Sequence, residues 1–464
     1  ADGSAVSWST GAEFKTVPVA DAMRPGFSPP QNGTNLSMRI AAARPDTRLA
    51  LTNARVITLN AQRDVIDSGT VLLEGNRIRA VGDSSLAIPD GFRQVDLEGK
   101  TVVPGFVDIH AHGPYGRADI IPQQNWDLLA HLALGVTTVH NPSSQASLVF
   151  AAAEYARAGR ILGPRIFSTA EIIYGAKSTY YAPVETLDDA LAHVRRLKAQ
   201  GAVTVKNYNQ PRRDQRQMVI EASRREGVMP VAEGGALYHM DMNLIGDGIT
   251  GVEHNVPTLR LYDDVLQYWR QSEAGYTPTL VVTFGGLTSE DYYYQDTEVW
   301  KHPLLANFVP PAVLQPRSVR RPMAPEADYR DDDAAAAAAK ALLDAGVLVN
   351  TGGHGQREGL ATHWEMWSFA RGGFTPMEAL AAATINPARY LGMDADIGSL
   401  EPGKLADLVI IDGNPLQNIR HTDHISHVVL NGRVYAADSL SEVFTGDSTL
   451  QPFYWQGKPE SAIR

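Results

Sequence analysis

Two histidines separated by a single residue, His110 and His112, are the clearest chemical signal in the sequence. They follow a largely apolar run, 102–109, that has the composition of a β-strand. Side chains two positions apart on a strand face the same side, so both imidazoles can bind one metal ion and leave room for water. The chain has no cysteine, so any metal must be held by nitrogen and oxygen ligands. The alternative is a pair of solvated loop histidines.

Three segments carry a family resemblance. Segment 104–113 (PGFVDIHAHG) resembles the first barrel strand of the amidohydrolase superfamily, in the branch with imidazolonepropionase-like and Xaa-Pro dipeptidase-like enzymes. Segments 382–388 (AATINPA) and 398–409 (GSLEPGKLADLV) are similar to that branch's closing helix and its return to a β domain. The resemblance covers residues 49–436 and implies that His110 and His112 are metal ligands.

The resemblance also implies ligands on later strands. Lys206 ends the run 202–206 (AVTVK), where the superfamily has a strand-four lysine that can be carboxylated and bridge two ions. A lysine paired with a carboxylate is the alternative. His254, in TGVEHN (250–255), matches the strand-six ligand, the alternative being a core histidine bonded to a backbone carbonyl. Glu253 should point the other way along that strand, as a structural carboxylate.

Two positions depart from the family pattern. Glu233 stands where strand five normally has a histidine, and its carboxylate could bind zinc, manganese or iron instead. His239 is the alternative ligand there, or else a surface residue. Strand eight (VNTGGHGQ, 349–356) lacks the family's aspartate, and His354 is the nearest group that could relay protons or bind metal. The departure leaves the usual mechanism and a complete two-metal site open.

Other residues carry weaker signals. His140 could line the pocket from the end of strand two, and His363 is expected to pack or cap within a helix. The aromatic run Tyr292–Tyr294, with Trp300, is either a lid over the mouth or a packed insertion.

Alternating β-rich and helical segments must position these residues. The predicted strands lie at 137–140, 165–169, 203–206, 229–232, 251–254, 277–282 and 347–351. Segments 187–199 and 334–345 have helical composition, and the second is capped by 331–333 and Gly346. This alternation predicts an α/β fold, a (β/α)8 TIM barrel, whose active sites lie at the carboxyl ends of the strands.

The two ends of the chain are predicted to build one accessory domain. Short alternating segments at 49–103 and 392–440 predict a small composite β-sandwich, with the metal-dependent barrel at 104–391 between them. Residues 1–48 are predicted to be an extended arm, in which 2–9 resembles a propeller's closing strand. Residues 441–464 are assigned as a C-terminal tail.

Composition excludes several classes of protein. The chain has 464 residues, 44% of them hydrophobic and 20% charged, which is typical of a globular protein. The net charge of -11 and the lack of a basic stripe disfavour nucleic acid as a partner. No apolar run reaches the roughly 20 residues of a membrane span. The first residue is not Met, so processing is plausible, and we expect a periplasmic or secreted location, with the cytoplasm as alternative.

These observations predict a metal-dependent amidohydrolase that cleaves a peptide or N-acyl amide bond in a small or short peptide substrate. One or two divalent ions are expected, zinc first, with manganese, iron or nickel as alternatives. His354 and Lys206 are the predicted catalytic residues. Rival functions are a lactonase, cyclic-imide or imidazolone-type hydrolase, and a catalytically impaired barrel that binds a propeller. A TolB-like propeller domain or chain and a homo-oligomer are the predicted partners.

Overall fold

The computed structural model describes residues 2–176, 181–235, 237–258 and 260–457. Ala1 of the predicted arm and residues 458–464 of the predicted tail therefore lie outside the described residues. Among the described residues, no helix is both long and apolar enough to cross a membrane.

The segment predicted as an extended arm contains a small antiparallel sheet. Its strands are β1 (Ala5–Thr10), β2 (Glu13–Pro18) and β3 (Thr34–Asn35). The hairpin between β1 and β2 turns at Gly11, whose φ of 57° is the left-handed conformation that glycine adopts at little cost. The alternating segment therefore finds its partner strand within the arm itself.

Both chain ends contribute to one continuous sheet of nine strands. Its first five strands are β4 (Arg48–Ile57), β5 (Val65–Glu74), β6 (Arg77–Asp83), β7 (Arg93–Asp96) and β8 (Thr101–Pro104). The other four strands come from the C-terminal end of the chain. The first of them, residues 408–411, pairs antiparallel with β8, with Leu408 opposite Pro104, and the other three follow it in the sheet. Leu51, Val71, Leu408 and Val429 share one apolar core, so each chain end buries the other.

Parallel strands form the barrel. They are β9 (Phe106–Asp108), β10 (Val136–Asn141), β11 (Arg165–Ser168), β12 (Thr204–Asn207), β13 (Met229–Glu233), β14 (Gly251–Glu253) and β15 (Gly275–Thr277). The eighth position is taken by segment 347–351, which bridges β15 through Tyr276 and Val349. The amide of Ile109 donates to the carbonyl of Thr351 at 3.2 Å and closes the ring. The predicted barrel is confirmed.

One predicted strand is shorter than expected. The segment 277–282 leaves the sheet after Thr277 and forms a 3-10 turn at Leu280–Val282. Pro278 has no amide hydrogen to continue a ladder, and Thr279 has a φ of 46°.

Four strands of the accessory sheet follow the barrel in the chain: β16 (Leu408–Ile411), β17 (Ile425–Leu430), β18 (Arg433–Ala436) and β19 (Glu442–Val443).

Helices surround the barrel and fill its connections. They are α1 (Val19–Ala22), α2 (Trp126–Ala133), α3 (Ala146–Arg157), α4 (Leu187–Gln200), α5 (Arg213–Glu226), α6 (Tyr238–Gly246), α7 (Asp263–Ser272), α8 (Ser289–Asp296), α9 (Pro303–Phe308), α10 (Pro311–Val319), α11 (Arg330–Ala345), α12 (Leu360–Arg371), α13 (Pro376–Ala382) and α14 (Ile385–Tyr390). The long predicted helices are present: α4 starts at a capping box on Thr186, and α11 ends at Gly346, whose φ is 96°.

Candidate metal centre

Six predicted site residues meet at the carboxyl-terminal mouth of the barrel. His110 and His112 follow β9, Lys206 lies in β12 and Glu233 ends β13. His254 follows β14, and His354 follows the eighth strand segment. The six residues come from five separate parts of the sequence, and only barrel closure brings these parts together.

Three of these histidines are close enough to share one ion. One ring nitrogen each from His110, His112 and His354 lies within 4.8 Å of the others. The ring centroid of His354 is 4.8 Å from that of His110, 4.9 Å from that of His112 and 5.0 Å from that of His254. His354 is therefore in the middle of the cluster, where it can bind metal as well as move protons.

Neighbouring polar groups hold the rings in place. His110 Nδ1 is 2.7 Å from Glu253 Oε2, and His112 Nδ1 is 3.1 Å from Asn141 Oδ1. These contacts turn both Nε2 atoms toward each other at 3.2 Å. Two ring nitrogens at this distance either share a hydrogen bond, with one ring carrying its proton on Nε2, or both face a cation. The donor set thus fits a divalent metal. Glu253 and Asn141, which contact the Nδ1 atoms, orient the two rings for it.

Lys206 and Glu233 form a buried ion pair in the structure. Lys206 Nζ contacts Glu233 Oε2, and Glu233 Oε1 is 3.2 Å from His254 Nε2. Burial alone would raise the pKa of Glu233, but the hydrogen bond with His254 and the charge of Lys206 lower it to about 2. Glu233 is therefore an anion at neutral pH. Of the two alternatives for Lys206, these contacts show the lysine paired with a carboxylate.

Burial keeps two rings of the cluster in their neutral form. Burial, and next the charge of Lys206, lowers the pKa of His112 to about 4. Burial, and next the charge of His254, lowers the pKa of His354 to about 3. Both rings are neutral at pH 7, which is the form that binds metal.

The eighth barrel segment, 347–351, approaches β9 closely, which explains the two glycines before His354. A Cβ on Gly352 would lie 2.7 Å from the Cβ of His110, and one on Gly353 would lie 2.7 Å from Asp108 Oδ2. Asp108 also accepts hydrogen bonds from the Gly353 amide at 3.0 Å and from Thr362 Oγ1 at 2.6 Å. This buried aspartate contacts the loop that carries His354, and its oxygens are occupied in holding that loop.

Sequence reasoning missed the part played by Glu253. It was expected to face away from His254 because adjacent strand residues alternate. β14 ends at Glu253, and His254 has a φ of 72°, so the alternation stops between them. Both side chains consequently face the centre, His254 toward the mouth and Glu253 behind His110.

The other candidates lie outside the cluster. His140 is buried beneath it, with Nδ1 2.9 Å from the carbonyl of Ile109, so it does not line the mouth. His239 is exposed on α6, as the surface alternative predicted. His363 is buried and its Nε2 is 2.8 Å from the carbonyl of Leu134, so it packs as predicted. Tyr293 is fully buried, which makes its aromatic run a packed insertion and not a lid.

Comparisons with known proteins agree with this architecture. Residues 101–435 match the model of the amidohydrolase family. An imidazolonepropionase from Geobacillus sp. (strain WCH70) is 52% identical over 65 residues, which are 13% of this chain and 15% of that protein's length. A 5-methylthioadenosine/S-adenosylhomocysteine deaminase from Syntrophomonas wolfei subsp. wolfei is 23% identical over 437 residues, 87% of this chain and 94% of the deaminase.

Solved structures share the fold. A Xaa-Pro dipeptidase with bound methionine superposes with a TM-score of 0.65 at 19% identity, over 84% of this chain and all of the other. A putative prolidase from Bifidobacterium longum gives a TM-score of 0.62 at 22% identity, over 88% of this chain and 97% of the other. At these identities the likeness shows the fold alone: a barrel with an accessory β domain.

Proposed function

The chain belongs to the amidohydrolase family, and on that premise we propose that it is a metal-dependent hydrolase that cleaves a peptide or N-acyl amide bond with water. One observation carries the proposal: ring nitrogens of His110, His112 and His354 converge at the barrel mouth, with the Glu233 carboxylate and His254 beside them. That donor set is suited to a divalent cation.

The proposed ligands fall into two groups. His110, His112 and His354 form the first, because their ring nitrogens are mutually closest. Glu233 and His254, with Lys206 beside them, offer a second position. Nitrogen-rich ligation favours zinc, while the carboxylate also accepts manganese or iron, and nickel is a further candidate. We therefore propose one or two divalent ions per chain.

The chain's own residues would orient and move protons. A divalent cation held here would supply Lewis acidity toward a carbonyl and toward water. A neutral imidazole accepts the proton that the attacking water loses and passes it to the leaving nitrogen as the carbon–nitrogen bond breaks. His354 is our candidate for this transfer, and in that role it would leave His110 and His112 to hold the first ion without it. Glu253 and Asn141 keep the rings of His110 and His112 fixed during the reaction.

Lys206 is proposed to act at the same centre. As an ammonium ion it neutralises Glu233, and as a carbamate it would bring a further carboxylate to the second position. Carbon dioxide reacts with the neutral amine only, so the two states are chemically exclusive. The ammonium ion would place a positive charge beside the scissile bond, and the carbamate would place a negative charge there.

A second candidate function is hydrolysis of a cyclic substrate, a lactone, cyclic imide or imidazolone. The local identity with imidazolonepropionases favours it, since the same water attack can open a ring. The sequence-based alternative of an impaired binding module predicts no turnover at all.

Turnover of a substrate panel separates these functions. We expect the protein, as purified, to release amine from dipeptides and N-acyl amino acids, detected with an amine-reactive dye. The test variant is Glu253→Gln, which should slow turnover by loosening His110. The matched control is His239→Ala, at an exposed histidine, which should leave turnover unchanged. Ring opening without amide cleavage would favour the cyclic substrate, and inactivity throughout would favour the binding module.

A further inference from the structure

A cavity of about 370 Å³ opens beside the metal centre. It lies between the loop that follows β14, the turn after Leu280–Val282 and the first turns of α11. Its walls are mostly apolar and include Val256, Pro257, Phe284 and Ala335. The volume is sufficient for a phenyl ring or a branched aliphatic chain, within the usual size range of ligand pockets.

The cavity adjoins the centre at Phe284, which lines the cavity and packs against His254. The ring centroid of Phe284 is 5.5 Å from that of His254. Asn255, the residue after His254, also lines the cavity. The cavity is therefore separated from His254 by a single aromatic ring.

Hydrogen bonds hold the cavity open in its present shape. Asn255 Oδ1 accepts from the Phe284 amide at 2.7 Å, and Asn255 Nδ2 donates to the Phe284 carbonyl at 3.4 Å. On the other side, buried Asp332 accepts from Thr283 Oγ1 at 2.7 Å and Ser289 Oγ at 2.6 Å, which fixes the start of α11. The walls need no rearrangement to accept a ligand, so little binding energy is lost to ordering them.

The electrostatics of the cavity select against anions. Asp331 contributes its carboxylate to the lining, and in the described part of the chain we find no ion pair for it. Among the residues that the structure describes, no lysine or arginine lines the cavity. An acidic substituent would meet an uncompensated negative charge in apolar surroundings.

We propose that this cavity is the specificity pocket of the enzyme and takes an uncharged apolar substituent, aromatic or branched aliphatic, next to the amide that is cleaved. The proposal rests on the proposed function, because the substituent belongs to the molecule hydrolysed at the centre. It commits the substrate class to apolar N-acyl groups or apolar amino-acid side chains.

Binding of a carboxylate series tests the pocket independently of turnover. Acetate, butyrate, hexanoate and 3-phenylpropionate are titrated into the metal-loaded protein, with Kd measured by NMR. Each methylene that enters the pocket should tighten binding about fourfold, the equivalent of roughly 0.8 kcal/mol. Ala335→Phe fills the pocket and should abolish the gain, with Ala335→Leu giving an intermediate loss. Ala337→Phe, on an exposed position of the same helix, is the matched control and should keep the full gain.

The outcomes separate this inference from the proposed function. A chain-length gain in the wild type that Ala335→Phe removes supports the pocket even if no amide is hydrolysed. Equal Kd values across the series, or a gain that survives in both Ala335 variants, would overturn it. If amides are hydrolysed with no preference for apolar substituents, the pocket fails while the proposed function stands.

Discussion

His354 is the histidine that the end of the eighth barrel segment contributes to the cluster. It follows two glycines, has a φ of 56°, and its ring lies among those of three other histidines. The sequence could predict its importance from its place at the end of strand eight. It could not predict the left-handed backbone of His254 and His354, because non-glycine residues seldom adopt it and tertiary contacts alone impose it.

His354→Asn should lower turnover by roughly 100-fold or more, the usual contribution of general acid–base catalysis. Retained metal, measured by mass spectrometry, would identify a proton carrier, and lost metal would identify a ligand. The wild-type rate should require the neutral ring and so fall as the pH falls. Since the pKa of His354 is lowered to about 3, this fall should lie well below the value near 6.5 of an ordinary imidazole. Unchanged rate and metal in the variant would dismiss both roles.

Lys206 is predicted to be essential to the centre. Lys206→Ala should abolish most turnover, and short carboxylic acids such as acetate should restore part of it if a carbamate normally occupies the space. Incubation of the wild type with ¹³C-bicarbonate should then give a carbamate signal by NMR. No rescue and no signal would leave the ion pair with Glu233 as the role of Lys206.

At the scale of elements, the order of strands and helices was predictable because βα alternation leaves a clear pattern. The meeting of His110 and His112 was predicted from a two-residue spacing on a strand, but β9 ends at Asp108 and both histidines follow it. The hairpin of β1 and β2 and the early end of β15 were not predictable, because both depend on single residues, Gly11 and Pro278, that end one conformation and start another.

The strand-eight loop should tolerate no side chain at its second glycine. Gly353→Ala places a Cβ 2.7 Å from Asp108 Oδ2 and 3.0 Å from the Thr362 amide nitrogen, so one of them must move. We expect a loss of about 1–3 kcal/mol in the free energy of unfolding, with weaker metal binding. Gly457→Ala, whose nearest neighbour is 3.8 Å away, is the control. Equal denaturation midpoints for the two variants would contradict the close packing.

At the scale of the whole molecule, one buried ion pair joins the barrel to the accessory sheet. Arg165, in β11, makes two hydrogen bonds to Asp407, at 2.6 Å and 3.1 Å, next to the start of β16. The Asp407 side chain is 3% exposed. The propeller partner, the homo-oligomer and the periplasmic location are properties of the whole molecule that stay predictions.

Removal of this connection should destabilise the protein strongly. Asp407→Ala leaves the guanidinium of Arg165 without its partner, and breaking such a buried pair costs roughly 3–5 kcal/mol. The control is Glu74→Ala, which breaks an exposed pair with Arg79 and should cost below about 1 kcal/mol. Chemical denaturation measures both, and similar losses would mean that Arg165 and Asp407 do not couple the two units.

The central claim is that the imidazole cluster at the barrel mouth holds catalytic metal, and metal content per folded chain tests it most directly. After dialysis, the wild type and His239→Ala should each retain about one or two divalent ions by mass spectrometry. The double variant His110→Ala/His112→Ala should retain none at the first position while its circular dichroism spectrum stays that of the folded protein. Full metal retention by that double variant, or a metal-free wild type that still hydrolyses its substrates, would contradict the account.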